Sequence, residues 1–277
     1  MKFTKAEGLG NDFLLVERGA VPAEASAWAR RLCDRHVGIG ADGLIVYAVE
    51  DGSVTMRLIN ADGGEAEISG NGVRCLAAHV VRMDWLPPVH TVRTAAGPRA
   101  VEVVPVGRSR FRITSDLGPP ILASREIPVA LEPAAARVVD HPLEVGGRSL
   151  RVTATSMGNP HCALFLDDVA SDALVSTVGQ ALERHSFFPR RTNVEFVTLV
   201  APDELRVRFW ERGVGYTRAS GTGAASAAVA AIVARDAARS VRVVCDGGVL
   251  EVEWPEGGSV RQVGEAAVLF EGEWLAD

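Results

Sequence analysis

Two tetrapeptides, Ser69-Gly70-Asn71-Gly72 and Ser220-Gly221-Thr222-Gly223, hold the residues of this chain best placed to do chemistry. In each, a serine precedes a Gly-polar-Gly step, and the Ala-rich apolar stretch that follows reads as a helix. A helix start leaves its first N–H groups without intrahelical partners and carries the positive dipole end, so it favours a carboxylate. Each tetrapeptide follows, at a similar separation, an asparagine in a tight turn: Asn11 in Gly8-Leu9-Gly10-Asn11-Asp12-Phe13, and Asn159 in Met157-Gly158-Asn159-Pro160-His161. The repetition implies two related halves facing one site, with two helix starts aimed at one small anion. Glu211-Arg212-Gly213 directly follows the apolar run 207–210. An arginine there can take a carboxylate bidentately while the glutamate takes an ammonium, which suits a free amino acid. Asn60 and Asn193 extend the polar inventory. Taken singly, each piece has a plainer reading: the glycines at 8 and 10 make a turn and lack the remainder of a nucleotide loop, and His161 is a structural histidine.

The elements that must position these residues follow from periodicity. Residues 13–16 read as a strand, and 22–36 as a helix with an apolar face at Ala25, Trp28, Ala29 and Leu32. Strands are expected over 44–47 and 54–59, a long polar loop over 60–72, and a helix over 73–83. The pattern breaks at Asp116-Leu117-Gly118-Pro119-Pro120, which marks a domain boundary. The second half repeats the plan: strands over 150–154 and 163–166, a helix over 172–185, strands over 194–199 and 205–210, then the loop 211–223 and a helix through 234. Strands over 241–245 and 249–254 come next, and 267–274 reads as a last strand able to return to either half. The expected fold is α+β, with two pseudo-symmetric domains, each a curved, mostly antiparallel sheet around a central helix, and the active site in the cleft between them. The domains are placed at 1–117, completed by the terminal strand 264–277, and at 118–263.

Composition narrows the partners. The chain has 277 residues, 47% hydrophobic, and a net charge of −6, which argues against a nucleic-acid groove or an anionic membrane surface. There is no apolar run long enough to span a bilayer and no signal-peptide pattern at the start, so a cytoplasmic protein is expected. Cys33, Cys75, Cys162 and Cys245 are widely spaced and form no metal-binding pattern, so no metal is expected. The only lysines are Lys2 and Lys5, poor candidates for a pyridoxal phosphate Schiff base, and no cofactor is expected.

Residues 8–13, 33–36 with 38–44, 60–75, 157–162, 192–195 and 211–222 together resemble the diaminopimelate epimerases, in order and over nearly the whole chain. The resemblance implies two pseudo-symmetric domains, a homodimer, and cofactor-free inversion of one α-carbon of diaminopimelate in lysine and peptidoglycan biosynthesis. It implies that Asn11, Asn60, Asn159, Asn193, Glu211 and Arg212 grip the amino-acid head that does not react. Gly70, Asn71, Gly221 and Thr222 would offer N–H groups to the carboxylate at the reacting carbon. The family's two catalytic cysteines fall at Ser69 and Ser220, and a glutamate usual in the second loop falls at Tyr216. A thiol of ordinary pKa about 8.5 becomes a usable thiolate at a helix start. A serine hydroxyl is a far weaker acid and needs a separate base. A helix dipole worth roughly 0.3–2 kcal/mol does not close that gap. His161, Tyr216 and the nearby Cys75 and Cys162 are the candidates to assist. The serine pair also leaves open an isomerase or dehydratase acting on another amino acid, or a silent amino-acid-binding relative.

Overall fold

The computed structural model describes residues 1–275, so the last two positions of the expected terminal strand lie outside the described residues. The chain divides into two compact units, Met1–Asp116 with the chain from Val263 on, and Leu117–Gln262. The first contains β1 (Lys2–Gly8), β2 (Asn11–Glu17), α1 (Ala25–Cys33), β3 (Gly43–Glu50), β4 (Ser53–Asn60), β5 (Glu65–Ala66), α2 (Gly70–Arg82), β6 (Val89–Thr94), β7 (Gly97–Pro105) and β8 (Arg110–Asp116). The second contains β9 (Val138–Val145), β10 (Arg148–Ser156), β11 (Pro160–Phe165), α3 (Asp172–Glu183), β12 (Asn193–Ala201), β13 (Glu204–Glu211), β14 (Gly215–Thr217), α4 (Gly221–Arg235), β15 (Ser240–Cys245) and β16 (Gly248–Glu253). A long last strand, β17 (Arg261–Glu273), leads back to the first unit.

In the first unit the strands pair in the order β17, β1, β2, β3, β4, β6, β7, β8, and β8 pairs again with β17, so the sheet closes on itself. From β17 through to β8 the registers are antiparallel except β2–β3 and β4–β6, which are parallel. Helix α2 runs inside the ring against β1, β2, β4, β7 and β8, and every residue from Gly70 to Val80 is buried. Leu76, Ala77 and Val80 on it meet Leu15, Ile45, Val92 and Ile113 from the strands. Helix α1 lies on the outer face against β3 and β4, burying Ala29, Leu32 and Cys33.

The second unit repeats this order. Strands β9, β10, β11, β12, β13, β15 and β16 pair in sequence, again parallel at two places, β11–β12 and β13–β15. Helix α4 packs against β9, β10, β11, β12, β13, β15 and β16. Its run of Ala224, Ala225, Ala227, Ala228, Ala230 and Ala231 is buried, as a helix that is small and apolar on every side requires. Helix α3 takes the outer position of α1. The fold is the expected α+β repeat of sheet around a central helix.

Boundaries shift for local reasons. The helix expected over 22–36 covers only Ala25–Cys33, and its end is set by the Asp34 carboxylate, which accepts the N–H groups of His36 and Val37 and turns the chain. The helix expected from residue 73 starts at Gly70. Residues 2–8 and 89–116, where no element was expected, supply β1 and β6 to β8. The last strand pairs with β1, from Lys2↔Glu273 to Glu7↔Ala267. Among the described residues, no helix is long and apolar enough to cross a membrane.

Candidate active site

In the first unit Ser69 caps α2. Its backbone is extended (φ −131°, ψ 122°), and its Oγ accepts the Gly72 N–H at 3.1 Å. Gly70 and Asn71 form the first turn. The β1–β2 turn brings Asn11 to it: Asn71 Nδ2 donates to Asn11 Oδ1 at 3.2 Å, and Asn11 Nδ2 donates to Asp42 Oδ2 at 2.7 Å. Asp42 also accepts the Asp12 N–H at 3.0 Å and Arg35 Nη2 at 2.8 Å. Arg35 grips Asp12 through both terminal guanidinium nitrogens, at 2.7 and 3.2 Å, and the buried ammonium of Lys5 pairs with Asp12 and donates to the Gly40 carbonyl. Burial alone would raise the Asp12 carboxyl, but the hydrogen bonds from Arg35 and Lys5 outweigh it and hold the pKa at about 2. On the helix side the fully buried Arg74 donates to Asn71 Oδ1. Asn60 ends β4, where the chain turns through Gly63 and Gly64.

The second unit builds the same arrangement with different side chains. Ser220 caps α4 with φ −134° and ψ 125°, and its Oγ accepts the Gly223 N–H at 3.2 Å. Asn159, in the β10–β11 turn, holds the place of Asn11, and Thr222 that of Asn71; Asn159 Nδ2 donates to Thr222 Oγ1 at 3.5 Å. Asn159 Oδ1 faces His161 Nε2 at 2.9 Å, and His161 Nδ1 faces Glu195 Oε1 at 2.7 Å. His161 and Glu195 are both buried. Burial raises the Glu195 carboxyl pKa, while the imidazole pulls it down. The carboxyl of Glu211, at the end of β13, takes a 2.6 Å hydrogen bond from Thr217 Oγ1, and the Ser220 side chain lies near enough to pull its pKa down. Its pKa is raised, chiefly by desolvation. Asn193 is buried, its Nδ2 donating to the Pro160 carbonyl at 2.9 Å and its Oδ1 accepting the Arg212 N–H at 2.9 Å. It braces the segment that carries Arg212, whose Nη1 donates to the Arg190 carbonyl at 3.4 Å.

Three expected assistants are placed otherwise. Tyr216 lies opposite Trp210 on β14, one residue from Thr217, so strand alternation turns it to the other face from Glu211. Its hydroxyl donates to Asp246 Oδ2 at 2.8 Å, and the Arg208 guanidinium lies 5.1 Å from its ring centroid. Cys75 and Cys162 are fully buried, and desolvation pushes both thiols far above their ordinary range, so neither supplies a thiolate.

The sequence pattern of the family described as "Diaminopimelate epimerase" matches residues 3–123 and 153–269. The chain is 43% identical to the diaminopimelate epimerase of Cyanothece sp. over 277 residues, covering 98% of this chain and 99% of the relative. It is 44% identical to that of Pelotomaculum thermopropionicum over 281 residues, covering 99% of both. The chain belongs to the diaminopimelate epimerase family. Among solved structures, a predicted epimerase from Pseudomonas aeruginosa superposes with a TM-score of 0.73 at 18% identity, covering 100% of this chain and 99% of that one. A hydroxyproline epimerase from Agrobacterium vitis superposes at 0.72 and 13% identity, covering 98% and 91%. These two establish a shared fold.

Several residues that hold the half-sites of this diaminopimelate epimerase relative had no role in the sequence reading. They are Arg35, Asp42, Arg74, Glu183 and Glu195. Glu183 on α3 accepts Trp210 Nε1 at 2.8 Å and the Gly213 N–H at 3.1 Å, fixing the turn after Glu211. The available signal was a charge inside an apolar run, as in Val73-Arg74-Cys75 and Val194-Glu195-Phe196. A charge so placed must be buried with a partner.

Proposed function

We propose that this protein inverts one α-carbon of diaminopimelate, from the LL to the meso form, without a cofactor, as part of lysine and peptidoglycan biosynthesis. Ser69 and Ser220 are the two proton stations of that carbon. The N–H groups of Gly70 and Asn71, and of Gly221 and Thr222, hold its carboxylate and stabilise the negative charge that develops there as the proton leaves. Asn11, Asn60, Asn159 and Arg212 hold the distal amino-acid head, with Asn193 bracing Arg212. Glu211 serves as the base that makes Ser220 usable, since a serine cannot act unaided and a carboxyl raised by burial is a better proton acceptor near neutrality. His161, backed by Glu195, is the assisting imidazole. The reading extends to a cytoplasmic homodimer.

One observation carries it: within a chain of this family, two serines cap two central helices with the same backbone and the same bond to the third following N–H. The test is uptake of solvent deuterium at the α-carbon of diaminopimelate in heavy water. The parent is expected to exchange slowly and the Ser69→Cys/Ser220→Cys variant much faster. Glu211→Gln is expected to slow the parent by about 100-fold, the scale of a lost general base. Absence of exchange in both parent and double variant at high enzyme concentration overturns the proposal.

A further inference from the structure

We infer that Asp42 and Arg74 are positioning residues that decide which way the carboxamides of Asn71 and Asn11 face, and so which atoms Asn11 offers to a ligand. A carboxamide is nearly symmetric in shape, but one end only accepts and the other only donates. Four side chains stand in a row: Arg74 donates to Asn71 Oδ1, Asn71 Nδ2 to Asn11 Oδ1 at 3.2 Å, and Asn11 Nδ2 to Asp42 Oδ2 at 2.7 Å. Both ends of the row have a single role, because a guanidinium only donates and an ionised carboxylate only accepts. Reversing either amide sets two acceptors or two donors against each other. Neither end is loose. Arg74 is wholly enclosed on α2, and Asp42 is tied to Arg35 and to the Asp12 N–H.

The repeat itself does not dictate this sense. At the equivalent place in the second unit, Asn159 turns its Oδ1 to His161 and donates to Thr222, the opposite sense relative to the helix start. Thr222 carries a hydroxyl that can donate or accept, so no single-role group terminates that row on the helix side. The direction in the first unit therefore comes from residues 42 and 74. It leaves Asn11 with one N–H and one oxygen lone pair, a pair suited to the carboxylate and ammonium of an amino-acid head. That last step rests on the proposed function.

The test uses Asn71→Asp, which places an acceptor-only group at the second residue of α2. The helix dipole favours a carboxylate there, and Arg74 is its neighbour. Asn11 must then turn its nitrogen toward residue 71 and its oxygen toward the Asp42 carboxylate. The conflict exists only while Asp42 is present. In urea unfolding, the Asn71→Asp/Asp42→Ala variant is expected to have a midpoint above that obtained by adding the two single losses, and this coupling is expected to vanish when Asn11 is alanine. Additive losses, a double variant that does not fold, or coupling that persists without Asn11 (simple charge repulsion) each overturn the inference. Calorimetry with diaminopimelate tests the ligand separately, with Asn11→Ala expected to weaken binding at least 10-fold. Equal binding by parent and Asn11→Ala, or none by either, overturns the role given to Asn11 and leaves the coupling result standing.

Discussion

Asp12 is the most heavily tied acid of the first half-site, and its titration has a definite sign. Its folded pKa of about 2 lies below the ordinary 3.8, so the stability it contributes is fully present above about pH 4 and is lost as pH falls toward 2. Urea midpoints measured from pH 5 to 2 should fall with acid in the parent and fall less in Asp12→Asn, which should already be weaker at pH 7. The two capping serines are the other residue-scale test. Ser69→Ala should cost about 1 kcal/mol through the lost bond to the Gly72 N–H, whatever its effect on catalysis. Residue types were legible at this scale, and partners were not. Asn11, Asn159 and the serines could be picked out because turn and cap chemistry favours those types, and Glu211 because it stands beside Arg212 at the end of an apolar run. Tyr216 was misplaced because β14 is three residues long, too short for its alternation to show in the sequence. Asp42 acts through bonds to Asn11 and Asp12, 31 and 30 residues away, and Arg74 through Asn71 in the first turn of α2.

Among the elements, the two central helices depend on the glycine three residues after each cap. A Cβ at Gly72 would sit 2.9 Å from Met56 Cε and 3.1 Å from Ile45 Cδ1, both ends of flexible chains. At Gly223 it would sit 2.9 Å from the rigid ring of Phe209 and 2.9 Å from Ser220 Oγ. Alanine is the better helix former by about 1 kcal/mol, so contact decides the outcome. Gly223→Ala should be the more damaging of the two in urea midpoint, and equal losses would contradict this account. The same glycines hid the first turn of α2 from periodicity, since they lack the apolar signal that marks the rest of the helix. The outer helices showed their amphipathic spacing plainly, and the Asp34 turn ended α1 at Cys33, short of what that spacing suggests.

For the whole molecule, each unit is organised by a helix enclosed by its sheet. Leu76 on α2 is fully buried among strand residues, and Leu76→Ala should destabilise by about 2–5 kcal/mol, read as a shift in unfolding midpoint. The repeat of two such units was visible from the paired motifs, because a helix start facing a turn recurs in each half. The last strand was assigned to the first domain from the sequence, but the closure of that sheet through the β17–β1 pairing was not legible, since β1 and β6 to β8 carry no motif. That pairing bears on the order of events during synthesis. The second unit is one unbroken stretch, Leu117–Gln262, and can assemble as soon as it leaves the ribosome. The strands of the first unit that precede it must wait, with one edge unsealed, until the residues beyond Gln262 are made before their ring can shut.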